Sequence, residues 1–182
     1  SNMPYSDVGN YTFDTYLDYV QQGIYLWENS PYVKNYPELY FLNYVLFHRT
    51  NDEEIKPCRT YFWKKIKDKV QGKAMVEAAL EINHWCAGEV MYQGTDMRTG
   101  SALEIYRSGV GRCGEEAVFV VNVMRSAGIP ARPVYVPRWS HCDDNHAWVE
   151  VWCDGDWHYL GACEPEAVLD KGWFTNAASR AM

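Results

Sequence analysis

One cysteine of this chain sits where a thiol can be turned into a nucleophile. Cys113 lies in Gly-Arg-Cys-Gly-Glu-Glu-Ala, 111–117, just after a glycine and at the start of an apolar helical run. A free thiol titrates at about 8.5, and helix N-terminal amides or a neighbouring imidazolium lower that value. Gly114 leaves the backbone accessible, and the Cys113 amide could donate to a developing oxyanion. Asn-His-Ala-Trp-Val-Glu-Val-Trp follows at 145–152, and Leu-Gly-Ala-Cys-Glu-Pro at 160–165. A thiol, an imidazole and a carboxylate in that order suggest a catalytic set: Cys113 as nucleophile, His146 as base and Glu164 as orienting acid. Singly, each has a blander reading: a buried helix-start cysteine, a structural strand-end histidine, an exposed glutamate.

The remaining thiols are weaker candidates. Cys86 falls in an amphipathic helix pattern, Cys153 and Cys163 in strand patterns, Cys58 after Pro57 in a loop, and Cys142 in a polar loop without a helix start. No Cys-x-x-Cys pair occurs, so a zinc ribbon or a redox pair is not supported, and mostly free thiols are expected. His48 and His84 read as packing residues in helices, and His158 alternates within a strand. The cluster His141, Cys142, Asp143, Asp144, His146 invites a metal reading, but ligands one and two apart at a strand entry do not converge easily. No metal or other cofactor is expected.

Elements must hold these groups in place. Helical spacing of apolar residues marks Tyr11–Gln22, Pro37–Arg49, Arg59–Val70 and Lys73–Val90. A Gly- and Asp-rich loop, Tyr92–Gly100, and a short helix, Ala102–Arg107, follow. Cys113–Ala127 is apolar nearly all round, as a buried helix is, with Gly128 and Pro130 to end it. Strands are expected over Ala131–Val136, His146–Cys153 and Trp157–Cys163, the last two joined by an Asp154-Gly155 hairpin. Alternation sends Ala147, Val149 and Val151 to one face and His146, Trp148, Glu150 and Trp152 to the other. Placing Glu164 opposite His146 requires a three-residue loop, Asp154–Asp156, or a bulge; a strict two-residue turn would put Cys163 there. The fold class read from this is α+β: a Cys-bearing buried helix on an antiparallel sheet with an N-terminal helical layer.

The whole chain sets outer limits. Its 182 residues suffice for one domain with a core, or a domain with a helical annex. A net charge of -7 argues against a phosphate-backbone binder, so no nucleic-acid partner is expected. No membrane-spanning run or signal peptide is visible. The opening Ser-Asn-Met, 1–3, resembles an expression scar, and the helix-forming end at 175–182 suggests a longer native protein with further domains. The expected division is 1–3 scar, 4–100 N-terminal helical region and 101–182 catalytic core, cut short at its C-terminus.

Gly-Arg-Cys-Gly-Glu-Glu-Ala, then Arg125-Ser126-Ala127-Gly128-Ile129-Pro130-Ala131-Arg132, then Asn145–Trp152, together resemble the transglutaminase-like superfamily core over about 101–174. The resemblance implies a papain-like fold with a Cys-His-Asp triad, in which Cys113 and His146 match and Glu164 stands where the family usually has Asp. Gly-Arg-Cys-Gly-Glu and Cys-Glu-Pro-Glu also resemble the peptide:N-glycanase catalytic core, whose four-cysteine zinc site has no counterpart here. The implied chemistry is acyl transfer on an amide through a Cys113 thioester, mostly hydrolysis of a peptide, protein or glycopeptide substrate, with Trp139, Trp148 and Trp173 as candidate groove walls. Deglycosylation, amine transfer to glutamine and a non-catalytic binding domain are the alternatives.

Overall fold

The computed structural model describes residues 4–94, 98–140 and 142–180. The opening 1–3, part of the 92–100 loop, the end at 181–182 and His141, with the metal reading that includes it, fall outside them. Helices come first: α1 Tyr5–Asn10, α2 Phe13–Asn29, α3 Glu38–Phe41 continuing into a π-helical turn over Leu42–Leu46, α4 Arg59–Val70 and α5 Met75–Glu89. Strand β1 (Met91–Tyr92), helix α6 (Ala102–Ser108) and strand β2 (Val110–Gly111) lead into helix α7 (Cys113–Ser126). Strands β3 (Ala131–Val136), β4 (His146–Cys153) and β5 (Asp156–Leu160), and a last turn of helix, α8 (Thr175–Ala178), complete the chain. This is the expected α+β arrangement, a Cys-bearing buried helix on an antiparallel sheet with a helical layer.

Helix α7 is the axis of the molecule. Ala117 to Met124 are buried without interruption, as a helix apolar nearly all round requires. One side of α7 packs on β3 and β4, and α4 and α5 cover the other. Phe62 of α4 meets Phe119 of α7 edge to face at 5.4 Å. Truncating a ring so enclosed costs about 3–5 kcal/mol in cores of this kind. The buried cluster runs from Tyr19 to Ala162, so the N-terminal helical layer and the sheet share one core. Among the described residues no helix is long and apolar enough to cross a membrane.

Two buried guanidinium groups decide where one helix stops. Arg59 donates to the carbonyls of Val45 at 2.6 Å and Phe47 at 3.1 Å. Arg125 donates to Phe47 at 3.0 Å and Arg49 at 2.9 Å. These donors take carbonyls that a continuing helix would use. The helix expected through Arg49 therefore ends at Leu46. His48 beyond it turns its Nε2 to Asp7 at 3.0 Å and helps to dock α1, a helix the sequence pattern did not mark.

The sheet is antiparallel in the order β3-β4-β5. Ala147, Val149, Val151 and Cys153 face the main core, whereas Trp148 lies in a second cluster with Val136, Trp139 and Phe174. The hairpin corrects one expectation. Asp154 (φ 53) and Gly155 (φ 92) both take left-handed conformations and close a strict two-residue turn, with Cys153 paired to Asp156. That turn matches the twist of the strands, and an Asp-Gly pair adopts it readily. No three-residue loop or bulge is present, and the β4–β5 ladder ends at Val149 and Leu160, so Glu164 does not stand opposite His146 in the sheet as the expected catalytic set required. Strand β5 also ends at Leu160 rather than Cys163, because the Glu164 N–H returns to the Gly161 carbonyl at 3.1 Å and Cys163 turns left-handed at φ 57. Across the ladder His146 faces Val136 of β3.

Candidate active site

Cys113 is the first residue of α7. The helix starts there because the Glu115 carboxylate folds back to accept the N–H groups of Arg112 at 3.0 Å and Gly100 at 3.2 Å. Donors that would otherwise be orphaned at the helix start are satisfied in this way. The thiol is half-buried, and burial pushes its pKa above the ordinary range. The Ala147 and Gly114 backbone works against that rise. At neutral pH the resting group is a thiol, so the helix-start amides expected to lower its pKa are outweighed. Helix α7 packs on β4, the strand that His146 opens, and among the described residues no hydrogen bond joins the sulfur to the His146 Nε2.

His146 opens β4 and is 7% exposed. Its ring lies 4.7 Å from Trp173, 5.0 Å from Phe174, 6.1 Å from Trp139 and 6.2 Å from Trp148, centre to centre. Burial lowers its pKa, opposed by the charge of Asp144. The imidazole is therefore neutral at neutral pH. Its Nε2 is enclosed and has no hydrogen-bond partner among the described residues.

Glu164 is held by another group. Both of its carboxylate oxygens accept from the Trp173 indole N–H at 3.1 Å. The side chain folds over Gly161, where any Cβ would strike the carboxylate. Burial raises its pKa and the Trp173 hydrogen bond opposes the rise. Glu164 thus meets His146 through the indole lying between them. Of the three tryptophans expected to wall a groove, Trp139 and Trp148 are buried and stack in parallel at 6.4 Å, while Trp173 is 65% exposed.

One acidic residue escaped the sequence reading. Glu116, one helical turn after Cys113, is 4% exposed, and no hydrogen bond from a described residue reaches its carboxyl. Burial, then the charges of Glu164 and Glu115, push it up to about 8. Its signal was an acid inside an otherwise apolar helix, hidden because acids at helix starts are common. Elsewhere, His158 pairs with Asp170 at 2.6 Å and Arg138 with Asp143 at 2.6 Å. Among the described residues no group of three His, Cys, Asp or Glu could hold a metal ion. All six cysteines are unpaired.

The sequence matches the family model of the transglutaminase-like superfamily over residues 64–162, more than half of the chain. The chain belongs to the transglutaminase-like superfamily. The match begins within α4, so part of the N-terminal helical layer belongs to the transglutaminase-like unit. No curated protein matches the sequence. A solved structure from Cytophaga hutchinsonii, provisionally described as a cysteine protease, is similar at 22% identity and a TM-score of 0.47. That likeness covers 68% of this chain and 44% of the other, so the chain spans less than half the length of that protein.

Proposed function

We propose that this transglutaminase-like chain is a cysteine hydrolase acting on amide bonds of a peptide, protein or glycopeptide. The observation that carries the reading is Cys113 as the first residue of buried helix α7, packed on the strand that His146 opens. Because thiol and imidazole rest neutral, His146 takes the thiol proton as sulfur attacks the carbonyl carbon. The same nitrogen then gives that proton to the leaving amine as the C–N bond breaks and a thioester remains. A water molecule, deprotonated by His146, attacks the thioester, and the sulfur leaves and regains its proton. Glu164 acts as a positioning acid: it fixes the Trp173 indole, and the indole seats the imidazole face.

Release of primary amine from a peptide-amide library tests this. Cys113→Ala and His146→Ala should each lower the rate by about a thousandfold or more with circular dichroism unchanged. Trp173→Phe keeps a ring over His146 but removes the donor to Glu164, and kcat should fall about tenfold with KM little changed. Hydrolysis that survives Cys113→Ala sinks the proposal. Incorporation of dansylcadaverine into casein would instead identify amine transfer. A second reading, a binding domain that keeps the fold without catalysis, is favoured by one observation: the unpartnered Nε2 of His146. It holds if the wild-type chain neither hydrolyses nor transfers.

A further inference from the structure

Taking His146 as the base of the proposed reaction, we infer that Asn83 of α5 is a positioning residue: it grips the turn at 161–164 and, through Glu164 and Trp173, seats the imidazole.

Asn83 is an amide on an otherwise apolar helix face. It is 2% exposed, beside Ala79, Ile82 and Cys86 on the buried side of α5. An amide taken out of water is costly unless it is bonded, and an aliphatic side chain would fill the same place without that cost. The bonds of this amide all go to one target. Its Nδ2 group donates to the Gly161 carbonyl at 2.9 Å and to the Glu164 carbonyl at 3.5 Å, and its Oδ1 accepts the Cys163 N–H at 3.0 Å. Both ends of one side chain close on the same turn, which is remote from α5 in sequence.

The turn needs such a grip. Cys163 stands in the left-handed region at φ 57, which residues other than glycine seldom adopt. Within the turn, the Glu164 N–H bond to the Gly161 carbonyl at 3.1 Å opposes that cost, and Asn83 adds its own bonds from outside. The turn decides where the Glu164 side chain leaves the backbone, and both carboxylate oxygens accept the Trp173 indole N–H at 3.1 Å. Trp173 is 65% exposed, so packing holds it little and the bond to Glu164 sets its plane. The indole lies 4.7 Å from the His146 ring, centre to centre. The polar atoms of Asn83 are engaged by the turn, so its influence on the imidazole travels by way of Glu164 and Trp173.

The imidazole itself gives the readout, and no substrate is needed. The titration of His146 is followed through the proton–nitrogen correlations of its ring in wild type, Asn83→Leu, Trp173→Ala and the double variant. His48, bonded to Asp7, serves as the internal control. Burial lowers the pKa of His146 in the wild-type chain. Asn83→Leu should move its midpoint up by about half a pH unit or more as the indole withdraws, leave His48 where it is, and add nothing in the Trp173→Ala background. An unmoved midpoint in Asn83→Leu, or the same rise with and without Trp173, overturns the inference and reduces Asn83 to a packing amide. If Asn83→Leu fails to fold, Asn83→Ser, which removes the amide without adding apolar bulk, takes its place in the same comparison. Amide hydrolysis separates this inference from the reading beneath it. A kcat about tenfold lower in Asn83→Leu, with KM little changed, extends the positioning to catalysis. The expected titrations from a chain whose hydrolysis is untouched by His146→Ala keep Asn83 as the seat of the imidazole and overturn His146 as the base.

Discussion

A carboxyl buried beside other acids weakens the fold wherever it must ionise, and Glu116, 4% exposed next to Glu115, is such a group. Its ordinary value is 4.5, and in the folded chain it stands at about 8. Below 4.5 both folded and unfolded chains hold the proton, and the burial has no ionisation penalty. As pH rises through that window the unfolded chain releases its proton first, so stability is lost progressively until the folded group also ionises. Glu116→Gln should therefore raise Tm at pH 9 and leave it nearly unchanged at pH 4. Calorimetry showing the same shift at both ends would contradict the placement of this residue. Cys113 and His146 were legible as types, one a glycine-flanked thiol before an apolar run and the other the first residue of an alternating strand. The carboxylate of Glu164 was legible as an acid of the right order, but not its attachment to Trp173. A nine-residue separation across an irregular segment leaves no period to read.

Among the elements, α7 and β4 were plain in the sequence because each carries a strong pattern: continuous burial in one, strict alternation in the other. The end of β5 was not. Strand propensity runs on to Cys163, yet the Gly161–Glu164 turn folds the chain back and seats the carboxylate over Gly161. The end of the helix after α3 was hidden for a related reason, since the donors that take its carbonyls, on Arg59 and Arg125, come from other parts of the chain. Gly161→Ala probes the turn. Its methyl would push Glu164 from the Trp173 indole, so amide hydrolysis should fall about tenfold, with stability reduced by roughly 1–3 kcal/mol in urea. Wild-type kinetics from a Gly161→Ala chain would show that the seat of Glu164 is irrelevant to catalysis.

At the scale of the molecule, one core joins the helical layer to the sheet. The Gln22 side chain donates to the Ser126 carbonyl at 2.9 Å, and the Tyr36 hydroxyl to that of Gly128 at 2.7 Å. Unfolding in urea should therefore be a single event, with tryptophan emission and far-ultraviolet dichroism changing together. Tyr36→Phe should lower stability by about 1–2 kcal/mol without splitting the transition, since it leaves a buried carbonyl unpaired. Two separated transitions would return the N-terminal helices to the status of an annex. The sequence reading divided a helical region, 4–100, from the rest because the apolar period changes there; periodicity reports elements and carries no information on which of them share an interior. Helix α7 is a stiff rod about 20 Å long, clamped at its C-terminal end by Gln22 and Tyr36 and bearing the sulfur at its tip. A rod fixed at one end passes axial displacement to the other undiminished. The aim of the thiol is thus set from the far side of the protein, by residues that touch nothing reactive.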